Sequence, residues 1–243
     1  MADHIVRAYD VELETLGRNI AEMGGIAEYM VSRAVDSLDA FDADLAGKVV
    51  TTDPRLDALQ REVEERAIMM LARRQPLAVD LREVVVAIRI SSDLERIGDL
   101  ASSIAKRSAL IADEARLPRA IIGLRHMGET ASLQLKDVLD AYAQRDVIRA
   151  KSVWQRDADL DALEDVVFRD LLTTMMEEPR NITFCAHLLF CSKNLERIGD
   201  HATNIAEDVH YLVTGESLPS DRPKGRAGRT TPVDAPAAEA VPT

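Results

Sequence analysis

The segment Leu94-Glu95-Arg96-Ile97-Gly98-Asp99 recurs letter for letter as Leu195-Glu196-Arg197-Ile198-Gly199-Asp200, 101 residues further along the chain. A 243-residue sequence that repeats itself at this distance is an internal duplication, with two halves of roughly a hundred residues, each long enough for a modest core. Both copies lie inside long helix-like patterns. Within each copy an acid is followed four residues later by another, a spacing that puts two carboxylates on one face of a helix, about 5–6 Å apart at Cβ.

The repeat reaches upstream, because Asp53-Pro54-Arg55-Leu56-Asp57-Ala58-Leu59 lines up with Asp157-Ala158-Asp159-Leu160-Asp161-Ala162-Leu163. Each half thus carries two acid pairs on different helices: Asp53 with Asp57 and Glu95 with Asp99, then Asp157 with Asp161 and Glu196 with Asp200. Packed side by side, each set offers candidate metal ligands. Like charges at this spacing destabilise a helix by a few tenths of a kcal/mol per pair, and facing pairs add to that unless a multivalent cation neutralises them. A single acid pair is ordinarily a solvated helix face; recurrence in register on two helices of both halves favours a site. Oxygen-only ligands suit a hard cation, Mg²⁺, Ca²⁺, Mn²⁺ or oxidised iron, better than zinc. A di-iron enzyme of the ferritin-like kind needs Glu-x-x-His on paired helices, and neither half has it.

Gly98 and Gly199 sit mid-helix, where Gly costs about 0.8–1 kcal/mol relative to Ala. Close helix packing and access of a metal or its waters are both adequate reasons for them. His201 follows Asp200 directly, so it points about a hundred degrees away around the helix; it reads as a surface or interface histidine rather than a ligand. Arg96 and Arg197 read as partners of neighbouring acids, and Trp154 as core. Cys185 and Cys191 match neither a CxxC pair nor a zinc knuckle, which leaves two buried apolar thiols.

Apolar residues make up 47 % of the chain and aromatics only 4 %, so the core is built from Leu, Ile, Val, Ala and Met, which suits helices better than a sheet. Apolar positions recur at three and four, as in Leu13, Leu16, Ile20, Met23 and in Leu81, Val84, Val85, Ile88, Leu94, Ile97. The pattern predicts helices over 9–41, 43–51, 54–74 and 78–112, then 118–143, 145–155, 158–177 and 180–213, with Pro54, Pro76, Pro118 and Pro179 as interruptions. The expected fold is all-α: one three-helix bundle over residues 1–113, a second over 114–216, and a disordered tail over 217–243, where five of the nine prolines lie.

The net charge is −12, and the tail from Ser217 holds four basic residues against three acidic ones, so residues 1–216 carry −13. A body this acidic repels phosphate backbones, which argues against nucleic-acid binding as the main activity. No apolar run approaches a membrane span and the opening Met1-Ala2-Asp3-His4 is polar, so no membrane insertion and a cytoplasmic location are expected.

Together, Leu-Glu-Arg-Ile-Gly-Asp in both halves, Asn204-Ile205-Ala206-Glu207 after the second copy, and Pro76-Leu77-Ala78-Val79-Asp80-Leu81-Arg82 before the first resemble the PhoU family over about residues 5–215. The resemblance implies two pseudo-symmetric three-helix bundles, a homodimer, and acid-x-x-x-acid motifs that hold a multinuclear metal cluster. Iron is the leading expectation, with Mn, Mg, Ca or Zn as alternatives. It further implies a negative regulator of phosphate uptake and of the phosphate-starvation response, acting by contact with the ATPase subunit of the phosphate ABC transporter and with the phosphate-sensing histidine kinase. One position departs from the pattern: the motif Asn stands at Asn204, but the first half has Ser103. Both are expected as supporting groups around the ligands, with the shorter Ser103 making the first site weaker or differently hydrated.

Two other readings compete with a non-enzymatic regulator: a carboxylate-bridged metal-dependent enzyme on a helical bundle, and a plain helical scaffold. An enzyme needs a base or nucleophile converging on the metal, and the sequence repeats no His, Cys or Lys beside its acids.

Overall fold

In the computed structural model, residues 2–74, 79–113 and 118–219 are described. They form seven α-helices: α1 (Ala2–Ala40), α2 (Ala43–Arg74), α3 (Val79–Ile111), α4 (Pro118–Gln144), α5 (Val147–Gln155), α6 (Asp157–Glu177) and α7 (Ile182–Thr214), with a 3₁₀ turn at Pro179–Asn181. No strand occurs among the described residues. The motif residues Pro76, Leu77 and Ala78 and the tail from residue 220 lie outside them.

The boundaries expected from periodicity hold within a few residues except in two places. The first helix begins at Ala2, not at 9. The predicted break between 51 and 54 is absent: α2 runs through Pro54, which removes only the one backbone bond to the Val50 carbonyl and leaves the helix to continue on its other bonds and its packed face. In the second half the equivalent break is real. Arg156, at φ −92° and ψ 9°, separates α5 from α6.

The duplication extends to the turns. Phe41 and Arg145 both adopt the left-handed region, at φ 56° and 55°, and each is followed by an Asp whose N–H reaches back five residues: Asp42 to the Ser37 carbonyl at 3.0 Å and Asp146 to the Ala141 carbonyl at 2.9 Å. This closes the preceding helix. The same two aspartates then open the next one, Asp42 accepting from the Leu45 N–H and Asp146 from the Ile148 and Arg149 N–H groups. One residue type thus ends one helix and caps the next, which folds the chain back sharply.

The first bundle is α1, α2 and α3, and the second α4, α5 with α6, and α7; α3 packs along α7 and α1 along α4, so the two share one apolar core. Because α3 touches α1, α2 and α7, it buries more than a single stripe: Val84, Val86, Ala87, Ile90, Leu94, Ile97, Leu100 and Ile104 are all inside. Leu81, expected on that stripe, is exposed. Trp154 is buried, as expected, and its indole N–H donates to Glu207 Oε1 at 3.2 Å. Cys185 and Cys191 are free and buried. No helix among the described residues is long and apolar enough to cross a membrane.

Close helix packing accounts for the repeated glycines. A Cβ on Gly98 would run into Leu56 of α2, and one on Gly199 into Leu160 of α6. Gly98→Ala and Gly199→Ala should therefore overpack the seam by about 1–3 kcal/mol and lower the thermal midpoint by several degrees. Gly17→Ala, whose added Cβ meets nothing within 4 Å, should raise it slightly. Circular-dichroism melts check this, and an equal response at all three positions would contradict it.

Candidate metal centres

The leucine–glycine contacts set the acid pairs side by side. In the first half Leu56 sits on Gly98, so Asp53 and Asp57 on α2 come beside Glu95 and Asp99 on α3. Burial raises the Asp53 carboxyl, the nearby Ser102 hydroxyl works against it, and the charges of Asp99 and Asp57 push it further up. Glu95 is raised by burial and then by Asp99, with Asp57 and Asp53 adding and Arg96 opposing. Asp53 Oδ1 and Ser102 Oγ are both buried without a hydrogen-bond partner. Arg96 pairs loosely with Glu95 at 3.6 Å and Asp99 at 3.4 Å, as expected of it.

The second half repeats this with one addition. Glu196 is raised by burial, opposed by a hydrogen bond from Lys193, and raised again by Asp200 and Asp161. Its Oε2 is buried and without a partner. Asp157 is buried in the first turn of α6, where its Oδ1 accepts from Thr203 Oγ1 at 2.9 Å. Glu164, one turn beyond Asp161, adds a further carboxyl to the set, raised by burial and by the charges of Glu196, Asp165 and Asp161 against the pull of Lys193. The aligned residue in the first half is Gln60, so comparing the halves could not reveal Glu164; its spacing of three from Asp161 could have.

Ser103 and Asn204 follow Asp99 and Asp200 by one helical turn. They belong to the α3–α7 seam, where Asn194 Nδ2 donates to Ser103 Oγ at 3.1 Å and Asn204 Nδ2 to Asp93 Oδ1 at 3.2 Å. His201 is an interface histidine, its Nδ1 donating to the same Asp93 oxygen at 2.8 Å. Further along the seam Arg89 holds Asp208 at 3.1 Å. Burial, opposed by Arg89 and aided by Asp93 and Glu207, pushes the Asp208 carboxyl up to about 6.

Among the described residues no three His, Cys, Asp or Glu side chains already converge on one point as ligands of a metal ion. What the geometry provides is two clusters of mutually repelling oxygen donors, each with a buried carboxylate oxygen lacking a partner. That donor set fits a hard cation, which would be held by Asp53, Asp57, Glu95 and Asp99 in one half and by Asp161, Glu164, Glu196 and Asp200 in the other. When bound, the ion would supply charge neutralisation and a cross-link between helices.

The site and its scaffold define a doubled three-helix bundle with a group of carboxylates between helices in each half. The PhoU domain model matches the chain twice, at residues 20–108 and 124–209. A Rhizobium meliloti relative named "Phosphate-specific transport system accessory protein PhoU homolog" is 52 % identical over 222 residues, covering 91 % of this chain and 93 % of that one. The crystal structure of PhoU from Pseudomonas aeruginosa superposes with a TM-score of 0.84 at 39 % identity, covering 86 % of this chain and 100 % of that one. PhoU from Streptococcus pneumoniae gives 0.79 at 27 %, covering 87 % and 99 %. The chain belongs to the PhoU family. The family's names describe a regulatory accessory protein and not an enzyme.

Carboxyls whose pKa is higher in the folded than in the unfolded chain take up protons on folding, so their contribution makes stability rise as pH falls from 7 through the raised values. Asp53, Glu95, Glu164, Glu196 and Asp208 are all of this kind. Glu62, held down by Arg66, and Glu178, held down by Arg180, act oppositely, and only at and below the ordinary value of 4.5. The metal-free melting temperature at low ionic strength should therefore rise between about pH 7.5 and pH 5.5 and fall below about pH 4.5. Millimolar Mg²⁺ should flatten the upper limb; a melting temperature falling steadily from pH 7.5 downward would contradict the charge assignment.

Proposed function

We propose that this protein restrains phosphate uptake and the phosphate-starvation response when phosphate is plentiful. It works in the cytoplasm, as a homodimer, by docking on the ATPase subunit of the phosphate ABC transporter and on the phosphate-sensing histidine kinase. The observation that carries this reading is family membership across nearly the whole chain, with a PhoU domain in each half and 52 % identity to a phosphate-transport accessory protein. The bundle surface supports it: acids are gathered at two places on a helical scaffold, where a bound ion alters local charge and stiffness.

Iron is the leading occupant of the two clusters, with manganese, magnesium, calcium and zinc behind it, and the ion stabilises the bundle and sets the charge of the surface that partners meet. Ligand duty falls to Asp53, Asp57, Glu95 and Asp99, and to Asp161, Glu196 and Asp200 with Glu164. Asp157, engaged by Thr203, has a positioning role at the start of α6.

Deleting the protein in a phosphate-replete strain should raise alkaline phosphatase activity, and restoring the wild-type chain should suppress it. Activity that stays low in the deletion strain would overturn the regulatory reading. Glu95→Ala with Asp99→Ala should lower the metal content of the purified protein, measured by plasma mass spectrometry, with helicity intact. Unchanged metal content would remove the first cluster as the site.

A further inference from the structure

The two clusters differ in one cation. Lys193 Nζ lies 2.8 Å from Glu196 Oε1, and Glu164 and Asp200 are the other carboxylates whose charges act on it. Its side chain is 57 % exposed while that of Glu196 is 14 % exposed, so the ammonium reaches in from the rim to an inner carboxylate. The position aligned with Lys193 through the duplicated hexapeptide is Ser92, exposed and uncharged. Arg96 at the first cluster has its own duplicate in Arg197 and lies further off, at 3.4 and 3.6 Å, while Lys106 acts only weakly on Asp53. Among the described residues, a short ammonium contact is therefore found at the second cluster and not at the first.

We propose that Lys193 is a tethered counter-ion that gates the second cluster, so that a hard divalent cation fills the first cluster first and enters the second only by displacing the lysine. This rests on the reading of both clusters as cation sites. A monovalent ammonium neutralises part of the carboxylate charge and repels an incoming divalent ion. Its flexible four-carbon stem and its 57 % exposure let it swing away into water, where the freed ammonium is solvated. The result is a gate and not a block, and it gives one chain two binding steps at different cation concentrations.

The test is Mn²⁺ titration of the full-length chain near pH 7.5 at low ionic strength, with free Mn²⁺ followed by electron paramagnetic resonance. Wild type should show two classes of site, the weaker one abolished by Glu196→Gln with Asp200→Asn. Lys193→Met should tighten the weaker class roughly three- to tenfold and leave the tighter class unchanged, while Ser92→Lys should weaken the tighter class by a similar factor. Circular dichroism confirms that each variant stays helical. If Lys193→Met leaves the weaker class unaltered while the Glu196/Asp200 variant still removes it, the gate is wrong and the cation sites stand. If the Glu196/Asp200 variant removes the tighter class, the order of filling is wrong. If wild type binds no Mn²⁺, the gate falls together with the cation sites.

Discussion

A leucine seated on a glycine holds like charges together in this protein. Leu56 and Leu160 are almost fully buried, each over a glycine that admits no side chain. Burying a leucine contributes about 1.5–3 kcal/mol, whereas a like-charge pair one helical turn apart costs only a few tenths. The apolar contact wins, and the carboxylates flanking it are carried into proximity whether or not they are neutralised. The carboxyls of Asp53, Glu95, Glu164 and Glu196 are raised by burial first and by one another's charges second. Packing is thereby converted into a preference for protons or cations.

The seam between α3 and α7 governs how the halves meet. Arg89 with Asp208, Asp93 with His201 and Asn204, and Ser103 with Asn194 step forward along one helix as they step back along the other, and beyond them the Arg107 guanidinium lies 4.1 Å from the Phe190 ring centroid. Part-buried polar groups are costly unless paired, and sliding the helices past one another would unpair these. The seam therefore fixes register, and with it the placing of the two acid clusters on one scaffold.

The duplication made most of this architecture legible, since a repeated hexapeptide and periodic apolar residues leave few alternatives to paired helical bundles. Periodicity predicts a break at Pro54, but proline removes one bond from a helix, a loss that packing along α2 outweighs. The resemblance implies a supporting role beside the acids for Ser103 and Asn204. They follow Asp99 and Asp200 by one helical turn, and their hydrogen bonds across the α3–α7 seam depend on which face meets the other bundle, which only tertiary packing tells. Glu164 is hidden from a comparison of the halves because Gln60 stands opposite it in the first. Asp53 and Asp157 align, and so do the hydroxyls that face them, Ser102 lowering the Asp53 carboxyl and Thr203 donating to Asp157 at 2.9 Å.

The most direct test of the claim that packing-enforced carboxylate clusters are cation sites is anomalous diffraction at the manganese edge from crystals of the full chain soaked in Mn²⁺. The account predicts anomalous density between α2 and α3 within coordination distance of the Asp53, Asp57, Glu95 and Asp99 carboxylates, with weaker density among Asp161, Glu164, Glu196 and Asp200. Manganese found only at other surface acids, with neither cluster occupied, would contradict it.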